Sequence, residues 1–192
     1  MKSHYRVVVI GGGVVGASVL YHLAKFGWKD VCLVERSVLT AGSSWHAAGG
    51  IHALNADPNM AALQAYTIDL LSEVQEESGQ DINLHMTGGL TLAGTPDRWE
   101  WLQSAYHVFQ SIGIDDCRLV TPEEAGKLNP LMSTDGILGA MWADREGYLD
   151  TTGTVHAYAT PAKRSAMMPE PTTVANKNAV PSASATSFCD LL

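Results

Sequence analysis

Three glycines, Gly11, Gly13 and Gly16, stand between an uninterrupted apolar run and an apolar-striped segment, and no other feature of this chain constrains its fold so tightly. The run from Tyr5 to Ile10 is β-branched and continuous, the pattern of a strand buried on both faces of a parallel sheet. Val14 to Phe26 reads as a helix, with Val15, Val19, Leu20, Leu23 and Phe26 on one stripe and Gly27 as its stop. Val31 to Val34 reads as a second buried strand. Strand, glycine turn, helix and strand make a βαβ unit, so the fold class is α/β.

Each glycine in Gly11-x-Gly13-x-x-Gly16 answers a steric demand. The first permits the tight turn, the second lets the backbone approach a pyrophosphate, and the third lets helix and strand pack closely. The helix start at Val14 and Val15 then offers free N–H groups and the positive end of the helix dipole to phosphates. Glu35 ends the second strand about 20 residues further on, where an acid accepts hydrogen bonds from ribose hydroxyls. That acid would repel a 2′-phosphate, which argues against NADP. NAD and FAD both remain open on these residues alone.

The segment that follows narrows the choice. Glu35-Arg36 leads into Leu39-Thr40-Ala41-Gly42-Ser43-Ser44-Trp45-His46-Ala47-Ala48-Gly49-Gly50. Here the chain resembles the FAD-dependent amine dehydrogenases of the dimethylglycine and sarcosine dehydrogenase family, within the D-amino-acid-oxidase-like superfamily. The resemblance runs from about Tyr5 to Ala159 and rests on GGGVVGAS and VERSVLTAGSSWHAAG, with weaker echoes at HMTGGLTLAG, TPEEAGKLNP and EGYLDTTGTVHAYA.

The resemblance implies a Rossmann-type FAD-binding domain and the start of a second α+β substrate lobe, truncated relative to the family. It implies FAD as cofactor, held by Gly11, Gly13, Val14, Val15, Gly16, Glu35, Arg36, Ser43, Ser44, Trp45, His46, Ala47 and Gly49. It further implies a covalent bond from His46 to the flavin 8α-methyl group. A neutral imidazole is a competent nucleophile near pH 7, and small neighbours would let this loop lie against the ring. Ser43 and Ser44 would donate to phosphate or ribitol oxygens. The family chemistry is oxidation of an N-methyl group by hydride transfer to flavin, with a small N-methyl amino acid as substrate. An electron-transfer flavoprotein or oxygen would accept the electrons, and tetrahydrofolate would capture the one-carbon product.

Charge and composition exclude other classes. A net charge of -8 argues against a nucleic-acid surface, which needs clustered Lys and Arg. Cys32, Cys117 and Cys189 lie in no metal-like or CxxC spacing and read as reduced thiols. No apolar run approaches the roughly 20 residues of a membrane span. The first residues carry no signal or transit pattern, so the expected compartment is cytoplasmic.

Beyond the loop, Asp57-Pro58 caps a helix carrying Met60, Leu63, Ile68, Leu71 and Val74 and ending near Ser78-Gly79. Thr95-Pro96 opens another, whose Trp99, Leu102, Tyr106, Phe109 and Ile112 read as core, and Thr121 to Glu124 reads as a capping box. Leu84 to Met86, Gly89 to Ala93 and Gly136 to Trp142 are strand candidates. The expected organisation is an FAD-binding segment over 1–79, a partial substrate segment over 80–147, a return helix over 148–160 and an atypical tail over 161–192. Pro161 is expected to break the return helix, and the Pro- and Ala/Ser/Thr-rich tail to hold little structure. The tail reads as foreign to the family, like a frameshifted or alternatively spliced end. Three functional readings follow: a flavin-dependent amine dehydrogenase, a catalytically incomplete nucleotide-binding fragment, and an NAD-dependent Rossmann oxidoreductase.

Overall fold

The computed structural model describes residues 4–55, 57–166 and 173–176. In chain order the elements are β1 (Val7–Ile10), α1 (Val14–Lys25), β2 (Val31–Glu35), β3 (Gly50–Ile51) and α2 (Pro58–Ser78). There follow β4 (Gly89–Ala93), α3 (Pro96–Ser111), β5 (Cys117–Val120), α4 (Pro122–Leu128), β6 (Gly139–Ala143), β7 (Gly147–Tyr148), α5 (Thr151–Ala166) and β8 (Thr173–Asn176). The chain divides into two units, one of Met1–Gly49, Ser72–Asn83 and Leu149–Leu192, the other of Gly50–Leu71 and Leu84–Tyr148. No helix among the described residues is long and apolar enough to cross a membrane.

The first unit holds the parallel sheet β1-β2-β8. Val7 to Ile10 pair in register with Val31 to Val34, as a βαβ unit requires. Val31, Cys32 and Leu33 are buried, as expected for β2. β1 departs from expectation: Val8 is half exposed and Ile10 is 86% exposed. The reason is the face: Val8 and Ile10 alternate with the more buried Val7 and Val9, so they point to the side of the sheet that the described residues leave open. The buried face of α1 also differs from the expected stripe, since Val15, Val19 and Phe26 are exposed while Ala17, Leu20 and Tyr21 are buried. α1 is rotated toward α5, where the Tyr21 ring meets Tyr158 edge-on at 5.5 Å. Tyr21 completes the contact by donating its hydroxyl to Glu77 at 2.7 Å.

Two expectations for the end of the chain are corrected. Pro161 does not break the helix: α5 runs through it to Ala166. Burial of Val155, Ala157, Tyr158, Ala159 and Ala162 holds the helix on both sides of the proline and offsets the lost N–H. The tail also contributes a strand, β8, whose Thr173 to Asn176 pair in parallel with Cys32 to Glu35 of β2. Pro169, Pro171, Pro181 and Cys189 lie outside the described residues.

The second unit is built on an antiparallel sheet in the order β4-β6-β5, with β3 and β7 pairing separately. Its core gathers Ala61, Leu102, Phe109, Cys117 and Met141, and Trp101 packs against it together with Trp99, Tyr106 and Ile112 of the predicted α3 stripe. Two local signals appear as read. Asp57 caps α2 by accepting from the Met60 amide at 2.9 Å, and Thr121 with Glu124 closes a reciprocal capping box. Met60 and Leu63, however, are exposed, because the buried face of α2 runs through Ala61 and Ile68 instead. The candidate strand at Leu84 to Met86 reduces to one bridge between His85 and Tyr148.

Candidate functional site

At the end of β1 the Gly11 amide still donates to Val34 at 2.8 Å, and the residue takes φ +111°, a conformation that favours glycine. The chain then turns under Glu35. Gly12 donates its N–H to Glu35 Oε2 at 2.7 Å and Ser37 donates to Oε1 at 3.0 Å. These amides, Gly12 foremost, hold the Glu35 carboxyl below its ordinary pKa range against the opposing effect of burial. Each carboxylate oxygen keeps a further lone pair, so the group can still accept from ribose hydroxyls.

The turn and the first turn of α1 contain six amides from Gly11 to Gly16, and their commitments define the site. Gly11 and Gly12 are used as above, and Val14 donates to Ser44 Oγ at 2.9 Å. The N–H groups of Gly13, Val15 and Gly16 have no acceptor among the described residues. Three uncommitted donors converge at a helix N-terminus with no acid in its first turn. A Cβ added at Gly16 would fall on the Gly11 carbonyl oxygen, so this residue fixes how closely α1 approaches the turn. The donor set fits a pyrophosphate, and Glu35 beside it fits a ribose.

A second arm of the site comes from the loop after β2. Thr40 donates its N–H to Gly12 at 2.9 Å, and Ser44 opens a 3-10 turn, Ser44–His46. Within it the His46 amide donates to Ser43 at 3.2 Å, and the His46 ring lies 3.9 Å from the Trp45 ring. Nδ1 of His46 lies 3.1 Å from the Gly42 carbonyl. A carbonyl can only accept, so the contact is a hydrogen bond when Nδ1 carries the proton, and in that tautomer of the neutral ring Nε2 has the lone pair. His46, Trp45, Ser43 and Ala47 are exposed.

The structure thus brings Gly11, Gly13, Val14, Val15, Gly16, Glu35 and Ser44 together around one turn, and places Ser43, Trp45, His46 and Ala47 on the loop tied to it. Arg36 faces solvent, where its charge still favours the Glu35 carboxylate. Gly49 sits apart, buried against Leu149 at φ +79°. Sequence reasoning missed Gly12, Ser37 and Gly42, whose contributions are backbone N–H or C=O groups that no side-chain pattern reports.

Glu35 supplies the first testable expectation. A carboxyl whose folded pKa is depressed contributes stability that is present above its unfolded value, about 4. The contribution is lost as pH falls through the lower folded value. Urea unfolding of the native chain should therefore weaken on acidification below about pH 4, and Glu35→Gln should lack that component. ADP affinity measured by titration calorimetry at pH 7 should fall about tenfold in the variant, the scale of one charge-assisted hydrogen bond.

Comparison with known proteins agrees with this architecture. A family model described as FAD dependent oxidoreductase (DAO) matches residues 6–167. The chain is 35% identical over 168 residues to the mitochondrial dimethylglycine dehydrogenase of Rattus norvegicus, covering 85% of this chain and 19% of that protein. It is 34% identical over 155 residues to the mitochondrial sarcosine dehydrogenase of Homo sapiens, covering 80% of this chain and 17% of that one. Among solved structures, L-proline dehydrogenase from P. horikoshii superimposes with a TM-score of 0.81 at 25% identity, over 92% of this chain and 45% of that chain.

Proposed function

This chain belongs to the DAO family of FAD dependent oxidoreductases, and on that footing we propose that it serves oxidation of the N-methyl group of a small secondary or tertiary amine. The amine class is supported by the relatives named for dimethylglycine and sarcosine. Gly13, Val15 and Gly16 donate to the pyrophosphate of FAD, and Glu35 accepts from the adenosine ribose. Ser43 and Ser44 donate to phosphate or ribitol oxygens, and Trp45 and Ala47 shape the loop beside the ring. The second unit begins the substrate lobe.

His46 is the attachment point. The observation that carries the reading is the contact of its Nδ1 with the Gly42 carbonyl: a neutral ring that donates from Nδ1 presents an Nε2 lone pair from an exposed loop tied to the glycine turn. When bound, the flavin would supply the redox chemistry, as acceptor for the hydride of the substrate N-methyl carbon. Attachment would join Nε2 of His46 to the 8α carbon in place of a C–H bond: the 8α proton and the imidazole N–H proton would pass to water, which reaches the exposed ring, and dioxygen would take the two electrons to give hydrogen peroxide. In catalysis an electron-transfer flavoprotein or oxygen accepts the electrons, and tetrahydrofolate captures the one-carbon product.

The chain spans 19% of the length of the rat relative. Ile10 and Val8, exposed on the edge strand, favour a second reading in which this chain binds the nucleotide without oxidising an amine. The spectrum of the purified protein tests the flavin assignment. Yellow colour that survives acid precipitation and migrates with the chain on a denaturing gel is the expected result, and a colourless protein overturns it. Reduction of that flavin by dimethylglycine or sarcosine under anaerobic conditions separates the first reading from the second.

A further inference from the structure

We propose that Ser44 is a positioning residue for His46, coupling the phosphate-binding turn to the tautomer and presentation of the imidazole. The inference rests on the reading that His46 carries the flavin. Ser44 sits at the junction of the two arms: its Oγ accepts from the Val14 amide at 2.9 Å, while its carbonyl accepts from the Ala47 amide at 3.3 Å. The imidazole is held between these ties, with its backbone N–H on Ser43 and its Nδ1–H on Gly42. Gly42 and Ser43 lie between the Thr40 bond to Gly12 and the Ala41 bond to Val38 on one side and the Ser44 bond to Val14 on the other. Loss of the Ser44 bond therefore frees the carbonyl that sets the tautomer.

The chemistry of the hydroxyl extends this coupling to the ligand. A serine hydroxyl accepts and donates at once, and here the accepting side is engaged by Val14 while the proton has no acceptor among the described residues. A phosphate on the Gly13, Val15 and Gly16 amides would take that proton. The Ser44 side chain then bridges phosphate and helix, and by reciprocity whatever tightens the phosphate tightens the His46 holder.

The bond can be cut from either end, which gives the test its control. Ser44→Ala removes the acceptor. Val14→Pro removes the donor from the first helical position, where proline is accommodated, and Gly13 before it is extended, at φ -85° and ψ -176°. Ser44→Thr keeps the hydroxyl. Histidine imidazole ¹⁵N shifts of the flavin-free full chain report the tautomer, and covalent FAD incorporation at saturating FAD reports presentation without the influence of phosphate affinity.

In the native chain and in Ser44→Thr, His46 is expected to carry its proton on Nδ1. In Ser44→Ala and in Val14→Pro the signal is expected to move to the Nε2–H tautomer that water favours, with incorporation slowed at least tenfold. The double variant should lose no more than either single one. An unchanged tautomer in both single variants overturns the proposal. So does an effect confined to ADP affinity, which would make Ser44 a phosphate ligand alone. Should the native chain take up no covalent flavin, the attachment reading fails, while the tautomer comparison still decides the role of Ser44.

Discussion

A His46→Ala chain is expected to lose all covalently bound flavin while retaining its affinity for ADP within about threefold. The separation follows from the geometry. His46 contributes no donor to the cradle, whose free amides belong to Gly13, Val15 and Gly16 and whose carboxylate belongs to Glu35. An exposed imidazole also carries little of the fold, so the substitution should change stability by under about 0.5 kcal/mol. Flavin fluorescence on a denaturing gel measures the first quantity and titration calorimetry with ADP the second. Fluorescence persisting on the variant chain would assign the bond to another residue. Loss of ADP binding together with the colour would mean that the loop and the cradle are one structural element.

How much of this site was legible depends on whether the determinant is local. The Gly11, Gly13 and Gly16 spacing, the caps at Asp57 and Thr121, and the α3 stripe are all set within a few residues, and each appears in the structure as read. The face of α1 was not legible, because it is decided by α5, far along the chain: the apolar pattern names Val15 and Val19, but Tyr158 selects Tyr21. Pro161 misled for the same reason, since tertiary burial of Ala157 and Ala162 outweighs a missing hydrogen bond. β8 pairs with a strand far from it in sequence, and Val174 and Ala175 are its only apolar residues. At the site, Gly12 and Gly42 act through backbone atoms, and Ser44 acts as an acceptor for Val14 where the sequence suggested a donor to phosphate.

The largest effect on folding and binding together is expected at Gly16. A Cβ there would lie far inside contact distance of the Gly11 carbonyl oxygen and 3.0 Å from its carbon, both backbone atoms that no rotamer change can move. Gly16→Val must therefore displace α1 from the turn by on the order of 1 Å, an overpacking strain of about 1–3 kcal/mol. For a chain of this size that lowers Tm by roughly 2–12 °C. The same displacement withdraws Val15 and Gly16 amides from a phosphate they must meet at about 2.9 Å, so ADP affinity should fall at least 100-fold. Gly13→Ala gives the contrast, because its added carbon meets only the Ser44 hydroxyl at 3.0 Å, a side-chain atom that need yield only a few tenths of an ångström. Its thermal stability should stay within about 3 °C of the native chain, and equal destabilisation of the two variants would show that helix approach at Gly16 is not what holds the cradle in shape.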